Sequence, residues 1–183
     1  MKYPIGIQDF AKIIEDGYVY VDKTDLVYKL VNEGHIYFLS RPRRFGKSLL
    51  VSTLKYYFLG KKELFKGLAI DSMEKEWKEY PVFHLSFGTG NFTESQTLKQ
   101  VLEDYISEKE EEYGRNVNAN TLGGRFASLL HAAHKSFKQC LIAFALAAGD
   151  VLHAKAAGLF ILSAHQAAVG NVLMRRLQGC IGK

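Results

Sequence analysis

The residues best suited to do chemistry are Gly46, Lys47 and Ser48, at the end of the string Arg41-Pro-Arg-Arg-Phe-Gly-Lys-Ser48. A phosphate-binding loop needs backbone N–H groups that converge on the phosphates, which a tight turn entering a helix N-terminus supplies. It also needs a lysine to reach the β- and γ-phosphates and a hydroxyl to ligate Mg²⁺. Gly46 stands at the turn, Lys47 follows, and Ser48 carries the hydroxyl. One position departs from the general pattern Gly-x4-Gly-Lys-Ser/Thr: Arg41 stands where the first glycine belongs. Arg41, Arg43 and Arg44 add positive charge suited to a triphosphate. The same charges, read as a solvated basic turn, suit a nucleic acid.

The neighbouring segments supply the framework such a loop requires. His35 to Leu39 is a continuous apolar run, as expected of a strand buried on both faces. Lys47 to Leu59 places Leu49, Leu50, Leu54, Tyr57 and Phe58 on one side of a helix that Gly60 stops. Upstream, Asp9 is placed to cap a short helix over Ile7 to Asp16, Tyr18 to Val21 is a short β-type run, and Thr24 or Asp25 caps a helix that ends near Gly34. Downstream, Asp71 to Glu74 reads as a capping signature for a short helix holding Trp77. Val82 to Phe87 is a second strand, and Thr93 to Gln96 opens a long polar helix to Tyr113. Thr121 to Phe137 is a further helix, with Leu122, Phe126, Leu129, Leu130 and Ala133 as its apolar face, and Cys140 to Leu146 is a third strand. Strands alternating with helices argue for an α/β fold with a mainly parallel sheet.

Composition narrows the class. A chain of 183 residues with 48% hydrophobic and 23% charged residues fits one α/β domain. The net charge of +5 is unevenly spread: residues 1–112 hold 16 basic and 18 acidic residues, whereas residues 113–183 hold eight Lys/Arg against the single acid Asp150. That asymmetry fits either a surface facing nucleic acid or a last third foreign to the first two. Cys140 and Cys180 have no CxxC or Cys/His spacing, so they read as free thiols in a reducing cytosol. No apolar stretch follows the N-terminal Met-Lys-Tyr-Pro, which argues against a signal peptide. Leu141 to Leu162 is interrupted by Asp150, His153 and Lys155, which argues against a membrane span. The expected location is therefore cytoplasmic. His131 and His134 have no third ligand nearby in sequence, and Glu108 to Glu112 reads as a solvated acidic run.

Taken together, these residues carry a family resemblance. Pro4-Ile-Gly6 with Asp9-Phe10, Tyr20-Val-Asp-Lys-Thr24, Phe38 with Arg41-Pro-Arg-Arg-Phe-Gly-Lys-Ser-Leu49, Leu54 with Tyr57-Phe58, Leu64-Phe-Lys-Gly-Leu68, and Trp77 with Tyr80-Pro-Val82 resemble the AAA-ATPase-like family of P-loop proteins. Arg in place of the first glycine is what that family shows. The resemblance covers about residues 1–138. It implies a three-layer αβα P-loop NTPase fold, incomplete at the C-terminus, which the family commonly follows with a PD-(D/E)xK-nuclease-like domain. It implies ATP and Mg²⁺ as ligands, an ATPase activity, Lys47 as the catalytic lysine and Ser48 as the Mg²⁺ ligand. Arg41, Pro42, Arg43, Arg44, Phe45, Gly46, Lys47, Ser48 and Leu49 would form the nucleotide site. Val21, Asp22 and Lys23 would flank the base or ribose, while Asp22 and Thr24 can equally cap the next helix.

One part of that machinery is missing from the pattern. An ATPase of this class needs an acid at the end of a second core strand to hold Mg²⁺ or orient water. No Asp-Glu follows Cys140 to Leu146, and Asp150 is the one acid available there. Residues 139–183 form an atypical, Ala-rich tail. It is either a divergent completion of the sheet or a stretch read from a shifted frame, which the coding DNA decides. ATP binding is thus better supported than hydrolysis. The alternative is a nucleic-acid-interaction module using the RPRR turn and the basic tail; the partners expected are ATP, nucleic acid or a second copy of the chain, and no membrane.

Overall fold

The computed structural model describes residues 1–33, 36–40, 45–86, 95–136, 141–145 and 158–163. Helix α1 spans Phe10–Glu15, α2 Thr24–Glu33, α3 Lys47–Phe58, α4 Ala69–Met73, α5 Ser95–Tyr113 and α6 Leu122–Ser136. Strand β1 spans Ile36–Ser40, β2 Val82–Ser86, β3 Leu141–Ala145 and β4 Gly158–Ser163. The strands form one sheet in the order β1-β4-β3-β2. Strands β2 and β3 are parallel, with Val82 opposite Leu141. Strand β4 runs antiparallel to both neighbours, with Ile36 opposite Leu162 and Leu141 opposite Ser163. β1, β2 and β3 therefore share one direction and β4 opposes them. The sheet is mixed, where a mainly parallel one was expected.

β4 is the element the sequence pattern did not reveal. Gly158-Leu-Phe-Ile-Leu-Ser163 is a short apolar run inside the tail, and the Ala-rich residues around it hide its boundaries. In the structure it is the strand beside β1, separating it from β3.

Helix α3 is the hub of the best-packed region. Val51, Leu54, Tyr57 and Phe58 are buried along it, against Phe10 of α1, Val27 of α2, and Leu64, Phe65 and Ile70. Ring contacts knit this cluster. Phe10 lies 4.8 Å from Phe65 and meets Tyr20 edge-on at 5.3 Å, Phe65 lies 5.1 Å from Trp77, and Phe58 meets Tyr80 at 5.7 Å. Full burial of one such aromatic side chain stabilises by about 2–3 kcal/mol. Helix α3 then stops in a Schellman turn. Gly60 has φ +65°, its N–H bonds to the Tyr57 carbonyl, and the Lys61 N–H bonds to the Tyr56 carbonyl.

Three local expectations are corrected. Tyr18 to Val21 forms no strand; a single backbone bond, Val19 N–H to the Lys2 carbonyl at 2.8 Å, links it to the N-terminal segment. Asp71 to Glu74 does not open a helix. Helix α4 is ending there, and Asp71 folds back to accept the Gly67 N–H at 3.0 Å. Trp77 lies in irregular chain, held by its ring contacts to Tyr57 and Phe65. Finally, the acidic run Glu108 to Glu112 is not wholly solvated. Glu110 is buried between α5 and α6, where Arg125 donates Nε–H at 3.0 Å to Oε1 and Nη2–H at 2.6 Å to Oε2. Arg115 adds a third cationic contact to Glu110 at 3.8 Å.

Candidate functional site

Gly46 is the N-cap of α3, and its φ of +73° lies in the left-handed region that glycine adopts without strain. Among the described residues no atom lies within 4 Å of where a Cβ would sit, so the backbone conformation is what favours glycine here. Glycine also brings no side chain to cap the helix, and no side-chain cap bond is made. The intrahelical ladder begins with Leu50 N–H to the Gly46 carbonyl at 2.9 Å. The first turn of α3 thus carries the positive end of the helix dipole.

Around this end, Phe45 is exposed over 61% of its surface, Ser48 is exposed, Lys47 is half-buried, and Leu49 packs against the core. Arg41, Pro42, Arg43 and Arg44 lie outside the described residues, as does Asp150. Among the described residues no group of three His, Cys, Asp or Glu gathers as metal ligands.

The Tyr20 to Thr24 segment is resolved in detail and does a specific job. Asp22 Oδ1 accepts the Thr24 N–H at 2.9 Å and its hydroxyl at 2.7 Å, while Oδ2 accepts the Ala69 N–H at 2.7 Å. Thr24 Oγ1 in turn accepts the Ile70 N–H at 3.1 Å. Two residues at the start of α2 therefore cap α4, some 46 positions further along the chain. Burial pushes the Asp22 carboxyl up, but the hydrogen bonds from Thr24 and Ala69 outweigh it and hold it below the ordinary aspartate value. Asp22 acts as a cap here. Val21 and Lys23 on either side of it are exposed. Tyr20 turns inward toward Thr53 of α3, and burial raises its phenol despite that hydrogen bond.

A second set of contacts escaped the sequence reading. Asp9 caps α1 as expected, its Oδ1 accepting the Lys12 N–H at 3.0 Å. The same carboxylate also reaches α3. Ser52 donates its hydroxyl to Oδ2 at 3.2 Å, and Tyr56 donates to Oδ2 at 3.2 Å. Ser52 Oγ accepts the Phe10 N–H at 2.9 Å, so the N-terminus of α1 is tied to the second turn of α3. Burial, then the neighbouring Asp9 carboxylate, raises the Tyr56 phenol. The signal in the sequence was the spacing Ser48, Ser52, Tyr56: three hydroxyls four residues apart lie on one face of a helix.

A cleft of about 220 Å³ lies elsewhere, lined by Val31, Tyr57, Phe58, Glu74, Trp77 and Tyr80. It sits at the C-terminal end of α3, which is about 18 Å from Gly46 for a 12-residue helix at 1.5 Å per residue. It is separate from the N-terminal end of α3. No described helix is long and apolar enough to cross a membrane.

Over 134 residues, 73% of its length, the chain is 42% identical to a protein of Azotobacter chroococcum mcd 1 described as an uncharacterized protein in the vnfD 5′ region. The chain spans 26% of that relative's length. No solved structure matches it. The family model described as a predicted AAA-ATPase matches residues 4–144, from the N-terminal segment through α3 to β3. This chain belongs to the AAA-ATPase-like family.

Proposed function

We propose that the chain binds ATP at the N-terminus of α3, with Arg41 to Leu49 as the phosphate loop. The observation that carries this reading is Gly46: a left-handed N-cap without a capping side chain, directly before Lys47 and Ser48, in a chain of this family. Lys47 holds the β- and γ-phosphates, and the N–H groups from Arg43 to Ser48 wrap them. Ser48, exposed in the first turn, fits as a ligand for Mg²⁺, which when bound neutralises charge between the β- and γ-phosphates. Val21 and Lys23 flank the base or ribose, and Asp22 fixes the segment that carries them.

Binding is the core of the proposal. Hydrolysis needs a carboxylate near Ser48, and Asp150 is the candidate.

Calorimetric titration with ATP and Mg²⁺ tests the reading. The wild-type chain should bind and Lys47→Ala should not; equal affinity in both overturns the assignment. Phosphate release measured beside binding separates a working ATPase from a nucleotide holder. If Asp150→Asn abolishes release while leaving affinity intact, Asp150 is the missing acid.

A further inference from the structure

We infer that Asp9 is a positioning residue for the phosphate loop, acting through Ser52 and Tyr56 to fix the helix that presents Ser48. The inference rests on the ATP-binding reading and extends it to a residue 39 positions before Ser48. Ser48, Ser52 and Tyr56 recur at four-residue spacing on α3 and so lie along one face. The last two are held by a single carboxylate, at 3.2 Å each. Ser52 is 7% exposed, and its hydroxyl is engaged on both sides, by the Phe10 N–H and by Asp9 Oδ2. The clasp therefore sits one turn beyond the hydroxyl proposed to ligate Mg²⁺. An ordinary helix cap needs one oxygen for one amide, and Asp9 already meets that need at Lys12. Its further bonds cross to α3 and constrain where the first turn of α3 points. Groups bonded directly to a metal ligand typically carry about 10–100-fold of metal affinity, and Asp9, one helical turn removed from Ser48, should act at the lower end.

The test exploits the two jobs of Asp9. Asp9→Ser keeps an N-cap oxygen for Lys12 but is too short to hold Ser52 and Tyr56. Ser52→Ala removes the relay from the other side. Each variant should raise the Mg²⁺ concentration needed to tighten ATP binding about tenfold, read by calorimetry over a Mg²⁺ series. Combining the two should add little, since both break the same clasp. Glu110→Gln, which weakens the α5–α6 pair, is the control: it lowers the melting temperature and leaves the Mg²⁺ requirement unchanged. Wild-type Mg²⁺ dependence in Asp9→Ser, or an equal loss in Glu110→Gln, overturns the positioning role while ATP binding stands. A wild-type chain that binds no ATP overturns the phosphate-loop reading and this inference together.

Discussion

Asp22 shows how one residue can be read in two ways from sequence. Its position before a helix suits a cap, and its place in the Tyr20 to Thr24 string suits a nucleotide contact. The structure gives it three hydrogen bonds, one of them to α4. Asp22→Ala should cost about 2 kcal/mol, because a charged cap on two helices is lost, and thermal unfolding measures it. The pH dependence follows from the lowered carboxyl. A group whose folded pKa is depressed contributes stability that is fully present above its unfolded value, about 3.9 for aspartate. That contribution is lost as pH falls through the folded value. Wild-type stability should therefore fall more steeply below pH of about 4 than that of Asp22→Asn, in denaturant melts at successive pH values.

At the level of elements, helix α3 is specified at both ends by glycine for the same reason. Gly46 begins it at φ +73° and Gly60 ends it at φ +65°. The two differ in what surrounds them. A Cβ at Gly46 meets nothing within 4 Å, whereas one at Gly60 would sit 2.8 Å from Glu79 Cγ. Gly46→Ala should thus cost about 1 kcal/mol of backbone strain and disturb the phosphate-facing turn. Gly60→Ala should cost more in melting experiments, because strain and a contact with Glu79 add. Equal losses would show that the Glu79 side chain moves aside freely. The motif strings outside the loop also gain a physical meaning at this scale. Phe10, Tyr20, Tyr57, Phe58, Phe65, Trp77 and Tyr80 form the aromatic contacts that hold α3. In this chain they supply the packing that holds α3.

For the whole molecule, β4 decides how the last third of the chain is understood. In the sheet order β1-β4-β3-β2, strand β1 has β4 as its hydrogen-bonded neighbour. Truncating the chain before Gly158 should leave β1 without that partner and expose its backbone groups, an expense of several hydrogen bonds at about 1 kcal/mol each. A broadened, non-cooperative melt is the expected outcome; an unchanged melt would mean that β4 adds nothing to the fold. The described part of the tail supplies β3 and β4 to the sheet.

The sequence by itself determined the elements whose causes are local. Asp9 as a cap, the α3 boundaries between Gly46 and Gly60, and the buried stripe of α6 follow from side-chain chemistry acting within a few residues. Gly46 at the start of α3 was legible for the same reason, since the turn and the helix it opens are adjacent in sequence. Only the tertiary structure decided what depends on distant partners. Asp22 caps a helix 47 residues away, Asp9 reaches Ser52 across 43, and Glu110 meets Arg125 from a neighbouring helix. Periodicity cannot report such pairs, because it records which face a residue occupies and not what meets that face. Strand direction is hidden likewise: an apolar run such as Leu159 to Leu162 pairs equally well either way in pattern, and the backbone hydrogen bonds to β1 and β3 alone fix it as antiparallel.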